Sequence, residues 1–247
     1  IALADELPYS KLDIITHVAG SAPQSGAALA RYMCHLIKQQ QLDPQASFTA
    51  LSRFTLKLLD VAPQQAAEIA AIVSQEIADD MPDLVAKIAV LAAQAAPDQR
   101  VEIATSVSQG VPDASVEIAT GVAETIAASP DEELHTFLAS EGDDNYLGEG
   151  TELAIALGQG APDQAFDIAT AVAEILPEDA AQVAESIAQT DPEHASALVD
   201  SISEVAPEMA DDVMYAVASS LPEQAEELLQ DVLSDAEFNH PSNRQSS

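Results

Sequence analysis

Tryptophan is absent from this chain of 247 residues, cysteine occurs once, and eight lysines and arginines stand against 42 aspartates and glutamates. Each scarcity excludes something. A single cysteine, Cys34, rules out an intrachain disulfide and a Cys-rich zinc site. It falls at a helical position expected to face the core, beside His35, and reads as a buried structural thiol rather than a nucleophile. Scattered bases exclude a nucleic-acid surface, which needs clustered Lys and Arg against phosphate, and the same repulsion excludes an anionic membrane surface. No apolar run reaches the roughly 18 residues of a spanning helix. Glycine is sparse too: Gly148, Gly150, Gly158 and Gly160 make no GxGxxG or P-loop, and no lysine follows them to meet a phosphate.

What the chain has is a proline beat. Pro162, Pro177, Pro192, Pro207 and Pro222 fall at intervals of 15, as do Pro82, Pro97 and Pro112. Fixed-period self-similarity marks a stack of one small element. Followed outward, unit starts fall at Pro8, Pro23, Pro44, Pro63, Pro82, Pro97, Pro112, Pro130, Leu147, Pro162, Pro177, Pro192, Pro207 and Pro222, fourteen in all, with Leu147 the one start that is not proline. Leu147 is placed by register, since it puts Leu153, Ala154 and Leu157 where other units carry core residues.

Each unit reads as a short helix. Proline suits the first helical position, whose N–H lacks a partner anyway, and disfavours helix in the residue before it. An acid usually follows it (Asp83, Asp98, Asp113, Asp163, Glu178, Glu193, Glu208, Glu223), favourable at the positive end of a helix dipole. Six residues after the proline stand Ile69, Ile88, Ile103, Ile118, Ile168, Val183, Leu198 and Val213, seven after it usually alanine, and ten after it mostly Val or Ile. That spacing makes one apolar helical face. A helix of about 12 residues is too short to stand alone. The expected fold is therefore all-α: an α-solenoid of about fourteen short antiparallel helices, one per repeat of 15–21 residues. A continuous coiled coil is excluded, because each internal proline costs about 3 kcal/mol.

Composition divides the array. Residues 1–62 form a neutral helical block with longer repeats, five bases against five acids. Residues 63–129 are regular acidic repeats, 130–161 irregular ones with an acidic Gly-rich loop, 162–236 strict 15-residue repeats, and 237–247 a polar tail. Beyond residue 62 lie 37 acids and three bases, which account for the net charge of −34.

The loop Glu141-Gly-Asp-Asp-Asn-Tyr-Leu-Gly-Glu-Gly-Thr-Glu152 is the one interruption. Asp143, Asp144, Asn145 and Glu149 are hard oxygen donors and form a candidate calcium site. EF-hand spacing fails, since counting from Asp143 puts Leu147 and Ala154 at ligand positions, so a solvated turn is the stronger reading. His17, His35, His135, His194 and His240 are scattered, with no second histidine at metal spacing. Carboxylate pairs recur everywhere and mark no cleft in which general acid–base chemistry would be tuned. The chain reads as non-enzymatic, with no cofactor beyond the calcium candidate.

Residues Pro97 to Val111, Pro112 to Ile126 and Pro162 to Leu176 share Val/Phe-Glu/Asp-Ile-Ala-Thr-x-Val. In this the array resembles alanine-rich, proline-punctuated repeats of exported bacterial proteins of unassigned role. The resemblance implies the fold and export; it carries over no functional residue. Export is also suggested by Ala2-Leu3-Ala4, which has the small-x-small form of a signal-cleavage site. The expected location is extracellular or cell-surface.

The expected function is structural: a self-assembling repeat protein of a filament, sheath or extracellular matrix, packed head-to-tail or laterally with copies of itself. The alternative is a monomeric scaffold gripping a cationic protein partner. A lipid-surface amphipathic repeat protein is the third reading, disfavoured because such helices flank their apolar face with Lys and Arg.

Overall fold

The computed structural model describes residues 25–129, 147–223 and 225. Eleven α-helices lie among them and no strand: α1 Gly26–Gln39, α2 Pro44–Val61, α3 Ala66–Ala78, α4 Val85–Ala95, α5 Arg100–Gly110, α6 Ser115–Ala127, α7 Glu149–Gly160, α8 Ala165–Ile175, α9 Ala180–Thr190, α10 Ala195–Val205 and α11 Ala210–Ser220. The all-α, helical-repeat expectation holds, but the count is eleven among the described residues rather than fourteen. The other three proposed units, opening at Pro8, Pro130 and Pro222, lie wholly or mostly outside those residues.

Proline opens the units by a different device from the one expected. In eight units it begins a three-residue 3-10 turn, such as Pro97–Gln99, and the α-helix starts three residues after it. The residue before each proline is the joint. Its φ lies between −124° and −146° and its ψ between 58° and 76° in all eight. That backbone is neither helical nor fully extended, and it keeps the joint out of the α region that a following proline disfavours. The joint serves both neighbours: Ala96 N–H donates to Ala92 O at 2.9 Å, closing α4, and Ala96 O accepts from Gln99 N–H at 3.0 Å, opening the next turn. The recurring acids after proline therefore sit in the turn that precedes the helix. Pro44 is different. It starts α2 directly, and the Asp43 carboxylate accepts from Ala46 N–H at 2.9 Å. The other aspartate joint, Asp191, bonds the His194 ring instead and leads into a 3-10 turn like the rest.

The core follows the sequence register. Ile69, Ile88, Ile103, Ile118, Leu153, Ile168 and Val183 are fully buried, as are the alanines that follow them. Each such Ile or Leu contributes about 1.5–3 kcal/mol by burial. Leu153, Ala154 and Leu157 are all inaccessible, so the unit counted from Leu147 is in register. The positions three, seven and eleven after the unit start are mostly small and buried (Ala180, Ala184 and Ala188 in α9, for example), which makes a shallow stripe where helices approach closely.

Each helix packs on the next and on the next but one. Odd-numbered helices thus form one row and even-numbered helices a second. The order runs through the junction between α6 and α7: α5 packs on α7 and α6 on α8, as α3 packs on α5 and α4 on α6. The two rows leave no vacant place between α6 and α7. Side chains report the same register. Gln99 Nε2 donates to Pro63 O at 2.8 Å, and Gln164 Nε2 donates to Pro112 O at 3.1 Å, each joining two units that are neighbours in one row.

The rows differ on their exposed sides. Twelve residues after the unit start, the odd row carries Gln75, Gln109, Gln159 and Gln189, whereas the even row carries Gln94 and then Glu124, Glu174 and Glu204, all exposed. The even row is the more acidic there.

Candidate functional site

Two features stand out from the regular array. The first is a polar seam at α7, which among helices α2 to α11 is the one that no proline opens. Its N-cap is Gly148, at φ −61° and ψ 152°, and has no side chain to bond the first N–H groups. Other helices supply those bonds. Thr151 N–H donates to Asp179 Oδ2 at 3.3 Å, Gly148 N–H donates to Gln182 Oε1 at 3.3 Å, and the Thr151 hydroxyl donates to that same oxygen at 3.5 Å.

Asp179 occupies the position from which Gln99 and Gln164 reach back along their rows. Those glutamines meet a proline carbonyl and donate to it. Asp179 meets a helix start without proline, where N–H groups point outward, and accepts. The residue type follows the polarity of what it faces. Gly148 and Gly150 permit the approach, since a Cβ on either would collide with the Asp179 carboxylate, and one on Gly150 would also lie 2.6 Å from Leu176 Cδ1. Burial lifts the Asp179 pKa to about 6, with the neighbouring Glu178 and then Glu149 adding to the rise, while the N–H groups of Gly150 and Thr151 oppose it.

Arg100 completes the seam. It begins α5, and its side chain is 9 % exposed. Its Nη1 donates to Glu149 Oε2 at 3.2 Å and its Nη2 donates to Ser129 Oγ at 3.1 Å. One guanidinium thus holds residues on both sides of positions 130–146. Of the four calcium candidates, Glu149 is drawn into this pair, and Asp143, Asp144 and Asn145 lie outside the described residues. Among the described residues no group of three or more His, Cys, Asp or Glu side chains is arranged to hold a metal ion.

The second feature is a groove of about 540 Å³ on the outer side of the even row. Equivalent positions of two helices form it: Lys87, Val90, Leu91 and Gln94 of α4 face Glu117, Thr120, Gly121 and Glu124 of α6, and Phe48 of α2 also lines it. Val90 leans into the space that Gly121 leaves by having no Cβ. The floor is apolar, and the α6 side carries two exposed carboxylates, Glu117 and Glu124.

The remaining sequence candidates are structural where they are described. Cys34 is fully buried, and burial, assisted by the charge of Glu76, pushes its thiol up to about 12, far from reactive thiolate. His35 bonds Gln39 at 2.8 Å one turn along α1, and His194 bonds Asp191, the joint before Pro192, at 2.8 Å. His17, His135 and His240 lie outside the described residues. No helix among the described residues is long and apolar enough to cross a membrane.

No protein-family model, curated protein or solved structure matches the chain.

Sequence reasoning passed over Arg100 and Asp179, although Arg100 left a signal. It is one of three bases after residue 62, and it fills a position where other units carry small residues such as Ala165, Ala180, Ala195 and Ala210.

Proposed function

We propose that this chain is a non-enzymatic α-solenoid scaffold that binds a cationic protein partner along the outer side of its even row. The supporting observation is the apolar groove between α4 and α6, bordered by Glu117 and Glu124 and continued along the row by the exposed acids Asp167, Glu174 and Glu204. Rows of short helices present long continuous surfaces, the usual binding surfaces of such repeats. The net charge of −34 raises the local concentration of cationic proteins and accelerates their encounter.

Head-to-tail assembly is the second reading. Tyr32 on α1 and Tyr215 on α11 are 55 % and 74 % exposed, and they lie on the first and last of the eleven helices. Light scattering of the full chain, with and without millimolar calcium, followed by titration with a lysine-rich protein, separates the two. A monomer that forms a stoichiometric complex, weakening with added salt, is the expected result. Large oligomers or fibres of the chain alone would replace the scaffold reading with assembly.

A further inference from the structure

The scaffold reading leaves open what the partner presents, and the groove is specific enough to say. We infer that the groove between α4 and α6 docks a cationic amphipathic helix, seated with its apolar stripe on Val90 and Leu91 and its basic flank on Glu117 and Glu124. This inference rests on the scaffold reading and adds the place and the ligand chemistry to it.

Three observations support that occupant. The groove lies between equivalent faces of neighbouring helices in one row, a trough of the kind in which an amphipathic helix lies with anchors at helical spacing. Its floor changes from large to small across its width, Val90 and Leu91 on α4 against Thr120 and Gly121 on α6, with Val90 filling the space beside Gly121. A volume of about 540 Å³ accommodates a few large aliphatic or aromatic side chains, and fully polar segments have nothing to bury there.

Charge chooses among helices of that shape. Glu117 and Glu124 stand seven residues apart on α6, two turns along one face, and both are exposed. Two basic residues at matching spacing on the ligand would meet them. Lys87 stands on the opposite wall and is the single cation in the lining. It fixes the orientation across the groove, because a ligand turned over would set its basic flank against Lys87. An anionic helix with the same stripe meets Glu117 and Glu124 instead, and the net charge repels it before contact.

The test uses the full chain and three fluorescent synthetic peptides in an anisotropy titration: a leucine-striped helix with lysine and arginine flanks, the same stripe with glutamate flanks, and the cationic composition scrambled to destroy the stripe. The cationic striped peptide is expected to bind about tenfold tighter than the scrambled one, and the anionic peptide not at all. The Glu117→Gln/Glu124→Gln variant should weaken binding about fivefold at low salt, whereas Glu102→Gln/Glu152→Gln, which removes the same charge from the odd row, should leave it within about twofold. Leu91→Asp should weaken it about tenfold, with circular dichroism showing the helices retained. Equal binding of striped and scrambled peptides, or equal effects of the two double variants, would overturn the groove assignment while leaving a diffuse polyanionic scaffold intact. Absence of binding by both cationic peptides would overturn the groove assignment, and the lysine-rich protein titration would then decide the scaffold reading separately.

Discussion

Arg100 Nη1 lies 3.2 Å from Glu149 Oε2, so a cation at the start of α5 fixes the start of α7, the next helix of its row. The same guanidinium reaches Ser129 at the end of the α6 segment. A single buried side chain therefore ties the end of α6 to the start of α7, on either side of positions 130–146.

Replacing Arg100 with alanine should destabilise the fold by roughly 1–3 kcal/mol, because it removes a charged hydrogen-bond partner of the part-buried Glu149 carboxylate and the bond to Ser129. Arg100→Ala/Glu149→Ala should recover part of that loss. Urea unfolding followed by circular dichroism gives both values, and an unchanged midpoint in the single variant would contradict the pairing.

Asp179 sets a pH dependence. Its folded pKa is raised from 3.8 to about 6, so its contribution to stability is fully present below its unfolded pKa and is lost as pH rises through about 6. Between about pH 4 and pH 7 the chain should lose roughly 1–2 kcal/mol on this account, after discounting for the part of the group that meets solvent. Asp179→Asn keeps an acceptor for Thr151 N–H and abolishes the titration. Subtracting the variant's stability profile from that of the unaltered chain isolates the step from the general repulsion of a polyanion. A flat difference over that range would refute it.

Gly148→Ala should cost about 1–2 kcal/mol although the glycine's φ of −61° suits any residue, because the new methyl collides with Asp179. The two positions should therefore be coupled: adding Asp179→Ala should relieve the loss that Gly148→Ala causes. Additive effects in the double-mutant cycle would place the cause elsewhere.

Across the junction α5 packs on α7 and α6 on α8, and Arg100 holds Ser129 and Glu149 within one side chain's reach of each other. A chain in which residues 130–146 are replaced by a short Gly-Ser linker should keep the helix content of both rows and unfold within about 1 kcal/mol of the full chain. Loss of cooperative unfolding in that variant would show that the rows depend on the segment.

The sequence made the core legible because packing in short helices has a strict period. Ile103 and Ile118 stand six residues from their prolines, and both are fully buried. The same counting located the α7 register from Leu153 and Leu157 with no proline to help. The 3-10 turns escaped it, because proline fits the first position of either helix type and the choice depends on how the joint residue bonds its neighbours. The row assignment escaped it too. Nothing local distinguishes Gln109 from Glu124 until packing shows that their helices belong to different rows. Asp179 looked like one acid among 42, since its partners are backbone groups two units away.

The alternation of rows has a genetic consequence. Because successive units fall on opposite sides, parity works like a reading frame. Gain of one unit within the stack would send every later helix to the other side, exchanging the glutamine ladder for the glutamate one and scrambling contacts such as Gln164 to Pro112. Gain of two units would restore the phase. Duplication in this chain is therefore silent only in pairs of units, about 30 residues at a time.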